Sequence, residues 1–102
     1  MGLMSMFGLD RGPNREEAHR WVEKENATLL DVRTHMEFTS GHLRGANNIP
    51  VQELGQRMAE VPKNRKVVVY CRSGKRSARA SEILKAAGFA KVFDLGGMSN
   101  WK

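Results

Sequence analysis

KVVVYCRSGKRS, residues 66–77, is the stretch from which the rest of the chain can be read. After Lys66 its first half is continuously apolar and β-branched, the pattern of a strand covered on both faces, as in the middle of a parallel sheet. Cys71 ends that run, and Arg72, Ser73, Gly74, Lys75, Arg76 and Ser77 follow. From Ser77 to residue 87 the pattern is helical, with Ala80, Ile83, Leu84 and Ala87 inward. Gly88 supplies a left-handed helix end on which Phe89 folds back. Strand, short loop and helix in this order form one half of a βαβ unit.

Outward from this centre, the other segments alternate in the same way. Residues 28–32 (TLLDV) and 91–95 (KVFDL) read as strands, and Gly96-Gly97 is expected to break the second. Residues 46–49 resemble a short strand closed by Pro50. Asn14 with Glu17 forms a capping-box-like start for a helix carrying Ala18, Trp21 and Val22 on one face. Thr34 with Glu37 forms a second capping box, for a helix of one or two turns that Gly41 can end. Residues 52–60 carry Leu54, Met58 and Val61 at helical spacing, up to Pro62. Residues 63–66 are a basic turn. The expected class is α/β, a small, open, mainly parallel sheet with helices on both faces. The expected division is an N-terminal tip over 1–13, containing a turn at 11–13, and one domain over 14–102.

Composition narrows the chemistry. The 102 residues make one domain, which at this length buries roughly 60–70% of its unfolded surface. Seventeen basic against eleven acidic residues give +6, which favours anionic partners. One cysteine excludes an internal disulfide, and with His19, His35 and His42 it makes a poor structural zinc site. No apolar run approaches the ~20 residues that cross a bilayer. Residues 1–9 have neither a basic n-region nor a cleavage site, and Met6 stands where myristoylation needs Ser or Thr. The expectation is a cytoplasmic protein with no membrane partner. Basic residues are dense only around Cys71 and aromatic residues are not interleaved with them, so no nucleic-acid partner is expected.

In open α/β sheets, ligands bind beyond the carboxyl ends of the strands. Cys71 lies at such an end and faces a helix N-terminus, where free N–H groups favour negative charge. With Arg72, Lys75 and Arg76 close by, its thiol is expected to fall from ~8.5 toward the ~3.5–7.5 of activated cysteines. Ser73 and Gly74 let the loop curl so that successive N–H groups form an anion nest.

Four segments, LLDVRTHMEF, GHLRGANNIP, VVVYCRSGKRS and GFAKVFDLGGMSNW, resemble in order the single-domain rhodaneses, which are thiosulfate or persulfide sulfurtransferases. The resemblance implies that Cys71 carries sulfane sulfur as a persulfide. It also implies that residues 72–77 cradle it, with Arg72, Lys75 and Arg76 receiving an anionic donor. Asp31 and Arg33 match a strand-end pair that supports the pocket, Arg33 pairing with a carboxylate such as Glu37, while His42 matches a capping or packing histidine. A small anionic sulfur donor, a thiol or protein acceptor, and no metal or organic cofactor follow from the same resemblance. The alternative role is a persulfide carrier or docking module in a sulfur relay. Two departures stand out. The family begins with a strand, which residues 4–9 would have to supply, and Arg44 stands where proline is common. Phosphatases of related fold place arginine six residues after the cysteine. Here Arg76 comes five after Cys71, which points to the shorter, sulfurtransferase loop.

Overall fold

The computed structural model describes residues 14–102. The possible strand at 4–9 and the turn at 11–13 lie outside them. Within them, the elements are α1 (Arg15–Lys24), β1 (Thr28–Asp31), α2 (His35–Thr39), β2 (Asn47–Asn48), α3 (Val51–Leu54), β3 (Val67–Cys71), α4 (Lys75–Ala86) and β4 (Val92–Gly97), with 3-10 turns at Met58–Glu60 and Met98–Trp101. The four described strands form one parallel sheet in the order β2-β1-β3-β4.

β3 sits inside the sheet, and its five residues are all buried. Its side chains divide between two cores because successive residues point to opposite faces. Val67, Val69 and Cys71 pack with Leu54, Val61, Ala80, Leu84 and Phe89 beneath α3 and α4. Val68 and Tyr70 pack with Ala18, Trp21, Leu29 and Leu95 beneath α1. The expected α/β class with helices on both faces is therefore observed.

Local sequence explains the helix ends. The Asn14 side chain accepts from Glu17 N at 2.9 Å, so one half of the expected capping box is present. The Thr34–Glu37 box closes in both directions. At the end of α4, Gly88 has φ +101°, Gly88 N–H donates to the Lys85 carbonyl and Phe89 N–H to the Leu84 carbonyl. This is the Schellman pattern, and it buries Phe89.

Three expectations are corrected. Residues 52–60 are not one helix: α3 ends at Leu54, and a separate 3-10 turn follows at Met58–Glu60. Gly55 is a weak helix former, and the broken path still buries Leu54 and Val61. α4 begins at Lys75, two residues early, because Gly74 at φ +111° turns the chain directly into the helix. Gly96-Gly97 does not break β4 but completes it. The pairing of Val69 with Asp94 and of Tyr70 with Gly96 makes Leu95 a bulge, and Gly96 takes the left-handed φ of +83°.

Candidate active site

The chain runs from β1 to β2 on one side, then crosses to β3 and β4 on the other. The β1/β3 boundary is thus the point where strand order reverses, and there the carboxyl ends of two strands open a crevice. Asp31 ends β1 and Cys71 ends β3, with Cys71 paired to Gly97 of β4.

Cys71 is fully buried. Its Sγ accepts the N–H of Gly74 at 2.9 Å and that of Ser77 at 3.3 Å. Burial pushes the thiol up. The Ser77 hydroxyl and the N–H groups of Ser77, Gly74 and Ser73 outweigh it, so the thiol lies below its ordinary value. The single hydrogen of the Ser77 hydroxyl is contested, because the Gly74 carbonyl accepts from the same oxygen at 3.0 Å. The glycines of β4 let the loop close: a Cβ on Gly97 would lie 2.7 Å from the Arg72 carbonyl oxygen. Two backbone N–H groups, one from the loop and one from the first turn of α4, thus converge on one sulfur.

The cations divide. Arg72 is an exposed side chain, 77% accessible, and Lys75 is exposed without an ion pair among the described residues. Arg76 instead donates to both oxygens of Glu37, at 2.7 and 3.2 Å. That pairing, with the bonds from Thr34, holds the Glu37 carboxyl down at about 2. Arg76 is held charged in turn, chiefly by Glu37.

Arg33 does not pair with Glu37. It binds Asp31 through Nε at 3.1 Å and Nη2 at 2.7 Å, and caps the Gly41 carbonyl at 2.7 Å. Two residues along one strand end put this pair in reach, whereas α2 carries Glu37 toward α4. Asp31 also accepts from the Tyr70 hydroxyl at 2.6 Å, which in turn accepts from Leu43 N–H at 3.1 Å. Burial raises the Tyr70 phenol well above its ordinary value, so it remains a donor. Sequence reasoning missed Tyr70. The signal was present, since a lone tyrosine in an aliphatic strand must find a partner for its hydroxyl. His42 stacks on Phe38 at 3.7 Å and bonds the Phe38 carbonyl through Nδ1 at 2.8 Å.

A pocket of about 320 Å³ opens beside the loop, lined by Arg33, Glu37, Ser40, Gly41, Arg72 and Met98. A larger groove of about 550 Å³, along α2 and the β2 edge, shares no residue with the loop. Among the described residues, no helix is long and apolar enough to cross a membrane. The arrangement suits a soft anionic nucleophile that gains one terminal atom while keeping its charge, since the amides already converge on one point.

Comparison with known proteins agrees with this geometry. The family pattern described as a rhodanese-like domain matches residues 14–102. A sulfurtransferase of Allochromatium vinosum is 39% identical over 85 residues, 82% of this chain and 79% of that protein. The thiosulfate sulfurtransferase PspE of Escherichia coli K12 is 41% identical over 73 residues, covering 70% of each. A solved structure described as a rhodanese with anions, from Escherichia coli, superposes with a TM-score of 0.68 at 37% identity, covering 72% of this chain and 89% of that one.

Proposed function

The chain belongs to the rhodanese-like domain family, and from that premise we propose that it is a sulfurtransferase working through a persulfide on Cys71. The observation that carries this reading is the convergence of Gly74 N–H and Ser77 N–H on Cys71 Sγ at the end of β3. The Cys71 thiolate attacks the outer sulfur of an anionic donor such as thiosulfate. A new S–S bond forms, the bond to the sulfonate sulfur breaks, and its electron pair leaves with sulfite. The persulfide anion then lies among the loop amides. An acceptor nucleophile, a small thiol or a partner protein's thiol, takes the outer sulfur and returns the thiolate.

Each part of the site has a place in this cycle. The lowered thiol makes a separate general base unnecessary. Arg72 and Lys75 draw the donor to the mouth. Asp31, Arg33 and Tyr70 hold the end of β1 against β3, and Ser73 completes the loop. No metal or organic cofactor takes part in the steps as written. A lone free thiol of this kind suits the reducing cytoplasm.

A phosphatase reading is disfavoured by the same geometry. Arg76 is committed to Glu37 rather than aimed past Sγ, and a tetrahedral oxyanion needs a wider ring of donors than one sulfur.

The test is intact-mass measurement after incubation with thiosulfate. Wild type gains the mass of one sulfur atom on Cys71, while Cys71→Ser gains nothing and turns over no donor, because a hydroxyl is not ionised near neutral pH. A Cys71→Ser protein with turnover within about tenfold of wild type would place the nucleophile elsewhere.

A further inference from the structure

The mouth of the site contains a carboxylate that the sulfur chemistry above does not use. Glu37 lies on α2, its side chain 23% exposed, and lines the pocket beside the loop. Its Oε1 accepts the N–H and hydroxyl of Thr34 at 3.0 and 3.1 Å, so its own helix cap fixes it. From that position it takes both Nη atoms of Arg76 and lies 3.8 Å from Nη1 of Arg72. The sequence offers three cations around the sulfur. One is cancelled by Glu37, and another faces the same carboxylate. Arg33, on the far wall, is likewise matched by Asp31.

We propose that Glu37 is a positioning residue that sets the charge selectivity of the mouth. By holding Arg76 in a two-point pair and facing Arg72, it reduces the advantage of a doubly charged donor over a singly charged one. This inference rests on the sulfurtransferase reading and names the donor class the mouth is tuned toward: sulfane compounds of low charge, with thiosulfate accepted but not favoured. Glu37 remains ionised throughout the neutral range, since Arg76 and Thr34 hold its carboxyl at about 2, so the restraint is permanent rather than a pH switch. Arg76 lies in the first turn of α4, the turn whose Ser77 N–H meets Cys71 Sγ, so its charge belongs to the same end of the helix as the sulfur.

Glu37→Gln separates charge from shape. Gln keeps Oε1 for the Thr34 cap, as N3 glutamine does in capping boxes, and for the 2.7 Å bond from Arg76, while an NH₂ in place of Oε2 ends the 3.2 Å bond and the negative charge is gone. The first readout needs no sulfur transfer: the rate of Cys71 alkylation by iodoacetate, an anion, divided by the rate with neutral iodoacetamide. One freed surface charge should raise this ratio about twofold at low salt, and the gain should vanish at high salt. Glu37→Gln with Arg76→Gln removes both charges and should return the ratio to wild type. Arg76→Gln alone leaves the carboxylate unopposed and should lower it about twofold.

The second readout compares thiosulfate, a dianion, with methanethiosulfonate, a monoanion. With the latter, Cys71 takes the outer sulfur and methanesulfinate leaves. Glu37→Gln should raise kcat/KM about twofold for the monoanion and about fourfold, the square, for the dianion, mainly through KM. A ratio that is unchanged in Glu37→Gln, or equal in the single and double variants, would show that the pair only clamps α2 to α4 and would overturn the proposal. So would Arg76→Gln matching wild type. If wild type forms no persulfide with either donor, the sulfurtransferase reading fails, and the alkylation ratios still judge Glu37.

Discussion

At the scale of the residue, the site is a contest between burial and hydrogen bonding on one sulfur. Burial opposes the Cys71 thiolate, and Ser77 opposes burial with both its N–H and its hydroxyl. Ser77→Ala removes one of these donors and leaves the Gly74 carbonyl without its 3.0 Å partner. The thiol should then rise, because a bond that favoured the charged form is gone. The midpoint of the pH dependence of iodoacetamide alkylation should move to higher pH, with slower alkylation at neutrality. An unmoved midpoint would mean that the hydroxyl serves only the Gly74 carbonyl. Cys71 and the loop were legible because their chemistry is local: strand, thiol, glycine and helix start lie within twelve consecutive residues. The Arg76–Glu37 pair was not legible, because it joins positions 39 apart through the way α2 leans on α4. Composition supplied three cations, and only geometry revealed which of them is paired.

At the scale of the element, β3 and α4 could be read because periodicity and apolar runs report burial directly. The three errors of extent all fell on glycines, whose freedom hides their purpose. Gly97 has an ordinary φ of −77°, so its backbone would accept alanine. Its neighbour would not, since the new Cβ meets the Arg72 carbonyl at 2.7 Å. Because that oxygen is backbone, the loop itself must move. Gly97→Ala should therefore cost about 1–3 kcal/mol of stability, as overpacking does. It should also lower kcat/KM by at least about tenfold, since small misplacements of a reacting group are expensive. Chemical denaturation and thiosulfate kinetics on one preparation check both. Gly55 is the opposite case. It lies at φ −60°, ψ −35°, with open space where a Cβ would go. Gly55→Ala should stabilise the protein by about 0.4–1 kcal/mol and leave transfer unchanged. A loss of stability there would show that the break after α3 depends on glycine rather than on packing.

At the scale of the whole molecule, the apolar cores hold the sheet between its helices, while polar ties hold the segment from Arg33 to Leu43 over the carboxyl ends of the strands. One tie is buried: Asp31, Arg33 and Tyr70 link β1 and β3 to the Gly41 carbonyl and Leu43 N–H. The other is the Glu37–Arg76 pair at the rim, which joins α2 to α4. The rim tie depends on ionisation, and its sign can be worked out. The Glu37 carboxyl is depressed from an ordinary 4.5 to about 2 in the folded chain. A depressed acid binds its proton more weakly when folded, so its contribution to stability is fully present above the unfolded value and is lost as pH falls from about 4.5 toward 2. Glu37→Gln has no such proton to bind. Wild type should therefore be the more stable of the two at neutral pH, and the gap should narrow steadily through that window. Urea denaturation of both proteins at several pH values between neutrality and 2 measures the gap directly, with other acids contributing equally to each. A gap that stays constant over the window would mean that the tie acts through shape and hydrogen bonds alone. A gap that closes would show that the charge which restrains the mouth of the site also fastens α2 across it, so that donor selectivity and acid stability change together in any variant of Glu37.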